Sequence, residues 1–177
     1  MNNKHIIPEC HLDTLLIESV LASNDFNHKK GLPNVWKTMN KKFLDEAALC
    51  VIDNDKDKTE EFKHYSKLTK HNEHLSIYKH KAKAHYAIVL GSKHKAVEDF
   101  IIHNAERCGI NLSDFHLPNK ISGWTKAPKR AFVENNMPNL KRLFSAIKKN
   151  PSSDFRTLAN WIKQFKANPY DLNINSL

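Results

Sequence analysis

The chain has 177 residues, a formal net charge of +9 and three cysteines. That length suits one domain or one domain with a small appendage, and 40% hydrophobic residues suffice for a core, which excludes global disorder. No apolar run approaches the roughly 20 residues of a membrane helix, and the opening MNNKHIIPEC lacks the long apolar stretch and small-residue cleavage site expected of a secretory signal. Cys10, Cys50 and Cys108 are odd in number and far apart, which excludes a disulfide scaffold and a CxxC zinc ribbon. The expectation is a reduced, cytoplasmic protein with no membrane partner.

In chain order, His5-Ile6-Ile7 is a short apolar run stopped by Pro8 and predicts a buried strand ending near Glu9. Asp13 is a good N-cap, and Leu15, Leu16 and Val20 at helical spacing predict a helix over 13–22. Residues 23–31 are a polar loop. Pro33, followed by the stripe Val35, Trp36, Met39 and Phe43, predicts a helix over 33–46. Ala47–Ile52 is continuously apolar, as a strand buried on both faces requires, and it ends abruptly at Asp53-Asn54-Asp55-Lys56-Asp57.

Phe62, Tyr65 and Leu68 recur at spacing three and predict a surface helix over 58–71. Leu75–Tyr78 and Tyr86–Leu90 predict two more strands, with the basic stretch Lys79–Lys83 between them. Val97, Phe100, Ile101, Ile102 and Ala105 mark a helix over 94–107, closed by Gly109. Residues 111–139, with prolines at 118, 128 and 138, read as an irregular connection before two closing amphipathic helices, the second capped by Ser153 or Asp154. The alternation of strands and helices is an α/β order: a mostly parallel sheet flanked by helices over 1–110, and an α-helical extension over 111–177 expected to pack on it.

In open α/β sheets, sites gather beyond the carboxyl ends of strands, and both acidic clusters fall there. If the strands ending at Glu9 and Ile52 are neighbours, Glu9, Asp53 and Asp55 converge, with Asp13 nearby. Carboxylates that close cannot all stay ionised without a cation. Mg²⁺ or Mn²⁺ is the natural partner, able to polarise a phosphoryl oxygen and activate water. The competing explanation is a turn in which Asp53 and Asp55 make only local hydrogen bonds and Asp13 is only a cap. An EF-hand is excluded, because Lys58 and His64 stand where its loop needs Gly and Glu.

The segments HIIPECHLD and ALCVIDNDKD resemble the Toprim domain, named for topoisomerases and primases and found also in the overcoming-lysogenization-defect nucleases. Glu9 matches the family's first-strand Glu, Asp53 and Asp55 match its D-x-D, and Asp13 resembles an extra acidic position of the nuclease branch. The family's Glu is usually followed by Gly, where this chain has Cys10. Over residues 4–107 the resemblance implies a Toprim-like fold and phosphodiester hydrolysis or transfer. It implies metal ligation by Asp53 and Asp55 with Asp13 assisting, and Glu9 as ligand or general acid/base. The chain is too short for a topoisomerase or a primase, so a metal-dependent nuclease is the implied enzyme. The alternative is a non-catalytic module that binds nucleic acid or a partner, including a subunit of a phage-defence or mobile-element system working beside an ATPase.

Charge is unevenly distributed. Residues 1–57 sum to −2 and residues 58–177 to +11, and a basic surface attracts DNA or RNA by counterion release. At strand period two, Lys79, Lys81 and Lys83 share one face, which suits a phosphate backbone or, equally, a protected sheet edge. Lys120, Lys126, Lys129 and Arg130 surround Trp124, an arrangement that suits single-stranded nucleic acid, although a Trp anchoring a loop is the simpler explanation. Eleven histidines show no zinc-site spacing, and four glycines leave no room for a Walker A loop or a GxGxxG.

Overall fold

The computed structural model describes residues 1–54 and 59–172. Its centre is a five-stranded mixed sheet, ordered β1-β2-β5-β4-β3. The strands are β1 (Ile6–Pro8), β2 (Ala48–Asp53), β3 (Tyr65–Asn72), β4 (Leu75–His80) and β5 (His85–Leu90). β1, β2 and β5 run parallel, while β4 and β3 are antiparallel to their neighbours. The sheet is therefore half parallel rather than mostly parallel, because β5, β4 and β3 are joined by two hairpins and only the β1–β2 and β2–β5 connections cross over.

Every residue of β1, β2 and β5 is buried, as the unbroken apolar runs require when both faces are covered. Leu49, Val51, Tyr86, Ile88 and Leu90 face a large core with α1 (His11–Leu21), α3 (Val97–Arg107), α5 (Lys129–Lys149) and α6 (Phe155–Ala167). Their alternates Ala48, Cys50, Ile52, Ala87 and Val89 face a smaller core with α2 (Leu32–Lys42), Phe62 and Tyr65. The C-terminal helices belong to the first core: Phe165 meets Tyr86 edge-on at 5.8 Å, and Phe155 stacks on Phe100 at 5.7 Å. α3 ends in a Schellman turn, with Gly109 at φ +67 and hydrogen bonds from Gly109 N to Glu106 O and from Ile110 N to Ala105 O.

Three local expectations are corrected. The segment expected to be a helix over 58–71 is a 3₁₀ turn over Glu60–His64 followed by β3. Phe62 and Tyr65 do turn inward, onto Trp36 and Tyr78. Leu68, however, stays exposed at a bulge in the β3–β4 ladder. A period of three carried by only three residues loses to backbone pairing with β4. The segment 111–139 is less irregular than expected: it holds a 3₁₀ turn at Leu112–Phe115 and a short α4 (Ile121–Trp124), and α5 already begins at Lys129 with Pro138 inside it. Phe132 and Val133 bury in its first turns, so packing overrides the cost of an internal proline. Lastly, Cys10 rather than Asp13 is the N-cap of α1.

The basic stretch is also rearranged. β4 is internal, between β3 and β5, and ends at His80, so Lys81 and Lys83 lie in the hairpin turn and do not extend a strand face with Lys79. Lys79 lies over the Tyr86 ring, Lys81 donates to the Lys63 carbonyl and Lys83 to Asn40 Oδ1. The exposed edge strand is β3, where Lys67 and Lys70 provide the charge that discourages edge pairing.

Candidate metal centre

The parallel register aligns the carboxyl ends of β1, β2 and β5, with Pro8 beside Val51 at one end and Asp53 beside Leu90 at the other. Asn54 ties β2 to the exit of β5, its N–H donating to Leu90 O and its side chain to Gly91 O. β1 is too short to reach past Glu9, so Glu9, Cys10 and Asp13 turn over the end of β2. Along the outer edge of β1, the segment 27–31 supplies N–H donors from Asn27, Lys29 and Gly31 to the carbonyls of Ile6, Pro8 and Glu9. This edge cover places His28 and Lys30 at the rim of the same site.

Glu9, Asp13, Asp53 and Glu98 are all buried. Glu9 Oε2 accepts from Asp53 N at 3.2 Å, so the two acidic segments meet as the strand order requires. Asp53 Oδ1 accepts from Val97 N at 2.8 Å and thereby caps α3, whose own N-cap residue Ala96 has no side-chain acceptor. Its other oxygen, Oδ2, is 2.6 Å from Lys129 Nζ, which also lies 3.6 Å from Glu98 Oε1. Asp13 stands at the third position of α1 in a reciprocal capping box: Cys10 N donates to Asp13 Oδ2 at 3.0 Å, and Asp13 N donates to Cys10 Sγ at 3.4 Å.

Among the described residues, one group has metal-ligand spacing: Cys10 Sγ and one carboxylate oxygen each of Asp13 and Asp53 lie within 4.8 Å of one another. Asp13 Oδ1 and Glu98 Oε2 are sealed from solvent with no hydrogen-bond partner among the described residues. Burial, then the neighbouring Asp53 charge, pushes the Asp13 carboxyl well above the usual carboxylate range. Burial likewise raises Glu98, with Lys129 opposing. Burial and Asp13 raise the Cys10 thiol. For Lys129 burial acts to lower the pKa, but Asp53, Cys10 and Glu98 outweigh it and hold the ammonium firmly charged.

The site opens to a cleft of about 370 Å³, with Cys10 and Asp53 at its floor and His11, His28, Lys30 and Arg130 around it. His11 and His28 stack with ring centres 4.3 Å apart, and His28 Nδ1 lies 3.0 Å from Thr14 Oγ1.

Of the sequence-predicted site residues, the fold brings together Glu9, Asp13, Asp53, Lys129 and Arg130. Asp55 lies outside the described residues. Lys126 is exposed. Lys79, Lys81 and Lys83 lie at the opposite end of the sheet, since Lys79 pairs with Tyr86 while the carboxylates stand beyond Leu90. That separation is about 13–20 Å at the rise of a strand. Trp124 is a loop anchor, buried against Phe132 with its indole N–H donating to Pro118 O at 2.7 Å.

Lys129 is an internal partner of Asp53 rather than a free phosphate contact. Glu98, His28 and Lys30 escaped the sequence reading. Glu98 carries no distinctive signal, since Glu98 and Asp99 both stand in the first turn of α3, where acidic residues are ordinary. His28 and Lys30 carry none either, because nothing local marks a polar loop as running beside β1. No helix among the described residues is long and apolar enough to cross a membrane. Comparison of the chain with protein-family models, curated proteins and solved structures finds no match.

Proposed function

We propose that this cleft is a divalent-cation site for phosphodiester hydrolysis or transfer on nucleic acid, in a Toprim-like α/β domain. The observation that carries the reading is the convergence of Glu9, Asp13, Asp53 and Glu98 at the strand ends, with Asp13 Oδ1 and Glu98 Oε2 buried and without hydrogen-bond partners among the described residues. Leaving a buried polar atom unpartnered costs about 1–3 kcal/mol, and a hard cation beside Asp13 offsets that cost; Glu98 stands outside the group with metal-ligand spacing. The donor set fits Mg²⁺ or Mn²⁺ through Asp13 and Asp53. Bound there, the ion supplies charge for a phosphoryl oxygen and a more acidic water.

The chain's own groups have separable tasks. Asp53 is held by Val97 N–H and oriented toward the cluster. Glu9, anchored to Asp53 N, stands where a carboxylate can take a proton from water. His11, His28, Lys30 and Arg130 form a rim that attracts phosphate. A second reading is favoured by the Lys129–Asp53 ion pair, which neutralises Asp53 internally: the rim holds DNA or RNA without cleaving it, alone or as a subunit of a larger defence or mobile-element assembly.

The test is incubation of the chain with single- and double-stranded DNA and RNA in Mg²⁺ or Mn²⁺, beside Asp53→Ala and Glu9→Gln. The expected outcome is cleavage that falls at least about 100-fold in both variants, as loss of a few kcal/mol of charge stabilisation gives. Cleavage that survives both substitutions overturns the site. Salt-dependent binding without cleavage in either metal selects the binding module.

A further inference from the structure

We infer that the cation site is a mixed sulfur–oxygen site, with Cys10 Sγ as a ligand beside Asp13 and Asp53, and that it selects a borderline transition cation such as Mn²⁺, Fe²⁺, Co²⁺ or Zn²⁺ over Mg²⁺. This rests on reading the cleft as a cation site but not on any phosphodiester chemistry.

The geometry carries it. The three donor atoms lie within 4.8 Å of one another, so side-chain movements of under about 1 Å bring all three to the roughly 2.0–2.3 Å that one ion requires. Glu9 is outside this three-residue cluster, being engaged at Asp53 N. The independent pointer to a ligand is Asp13: it is completely buried, one oxygen is tied to Cys10 N, and the other has no hydrogen-bond partner among the described residues. That pairing also fixes Asp13 and Cys10 relative to one another before any ion arrives.

The local fold prepares the sulfur as a ligand. Cys10 is the N-cap of an 11-residue helix and accepts the Asp13 N–H, so an aligned backbone donor and the positive end of α1 both point at Sγ. In the ion-free site burial and Asp13 favour the thiol, so the thiolate that binds metal forms as the ion arrives and the thiol proton leaves to solvent. Thiolate is a soft donor that Mg²⁺ takes poorly, whereas carboxylate oxygens serve all these ions. Cys10 is the one sulfur donor in this group, so the residue at position 10 sets the preference.

The test uses the full chain, kept reduced, with Co²⁺ as a spectroscopic probe and calorimetric titration with Mn²⁺, Zn²⁺ and Mg²⁺. Cys10→Ser is the informative variant, since Ser is a better N-cap than Cys and should keep α1 intact; circular dichroism checks this. The wild type should show thiolate-to-Co²⁺ charge transfer in the near ultraviolet and bind Mn²⁺ or Zn²⁺ at least about tenfold more tightly than Mg²⁺. Cys10→Ser should lose the charge-transfer band and reduce that ratio, and Asp13→Asn should weaken all three ions. Binding without a charge-transfer band, a band that persists in Cys10→Ser, or Mg²⁺ binding as tight as Mn²⁺ overturns the sulfur ligand and leaves the proposed function standing. Sulfur ligation without cleavage of any nucleic acid overturns the proposed function alone. No binding of any of these ions overturns both.

Discussion

Lys129 sits 2.6 Å from Asp53 with its side chain one-third exposed, which makes it the most informative single residue at the site. Removing its ammonium leaves Asp53 and Glu98 facing each other in a poorly solvated place. Lys129→Gln is therefore expected to destabilise the fold by about 1–3 kcal/mol, less than the cost of breaking a fully buried pair because solvent screens part of it. Urea unfolding measures this. Millimolar Mn²⁺ should restore more stability to the variant than to the parent, because an ion no longer competes with Lys129 for Asp53; equal increments would show that Lys129 and the ion do not share Asp53. Glu98 and Lys129 show what a sequence conceals at this scale. They lie 31 residues apart on different helices, and only the fold that brings the start of α5 to the end of β2 and the first turn of α3 makes them partners.

At the scale of elements, the site depends on how β5 hands over to α3. Gly91 makes that turn at φ +89, and a Cβ there would stand 2.6 Å from Ala96 O and 2.9 Å from Lys95 O, both backbone atoms. Gly91→Ala is expected to cost about 1–3 kcal/mol. It should also move the first turn of α3, loosening the Val97 N–H that holds Asp53. The check is a urea midpoint together with cation affinity, and a variant with weakened stability but parental affinity would separate the turn from the site. α5 offers the opposite case. Pro138 inside a 21-residue helix removes one backbone donor, so Pro138→Ala is expected to raise stability, by up to about 3 kcal/mol, read from the same unfolding curves.

At the scale of the whole molecule, burial of histidines sets the response to acid. His28, His80, His85 and His103 all have pKa values lowered from 6.5, with burial the first cause in each. His85 is completely buried, with Nε2–H donating to Phe43 O at 2.8 Å. The unfolded chain binds protons at these rings before the folded one does. Their contribution to stability is thus full above about pH 6.5 and is lost as the pH falls below it through the lowered values. The melting temperature should fall between about pH 7.5 and about pH 5.5, and a flat profile would contradict this. Burial of Asp13 and Glu98 acts with the opposite sign: their folded pKa values are raised, so the stability they contribute is present at low pH and lost as the pH rises through those values. A bound cation removes that penalty, and at 100 times its dissociation constant it should add about 2.7 kcal/mol, or roughly 5–10 °C in a chain of this size.

What the chain's order of residues determines by itself is the framework. Ala48–Ile52 and Tyr86–Leu90 are apolar throughout and so must be covered on both faces. Pro8 and Asp53 end their strands, and Glu9 and Asp53 therefore stand at strand ends. That much is legible because strand burial and strand termination are local properties. Tertiary structure decides the rest. β4 becomes an internal strand, which carries Lys79, Lys81 and Lys83 to the far end of the sheet from the carboxylates. β3 forms from a segment whose local period suggests a helix, because pairing with β4 satisfies its backbone. The helix that begins at Lys129 delivers its ammonium to Asp53 from 76 residues away. Side chains on separate elements meet only after the sheet has closed and the helices have packed. The acidic floor is thus written at the ends of two strands, while the Lys129 ammonium, the fourth carboxylate and the basic rim are consequences of packing.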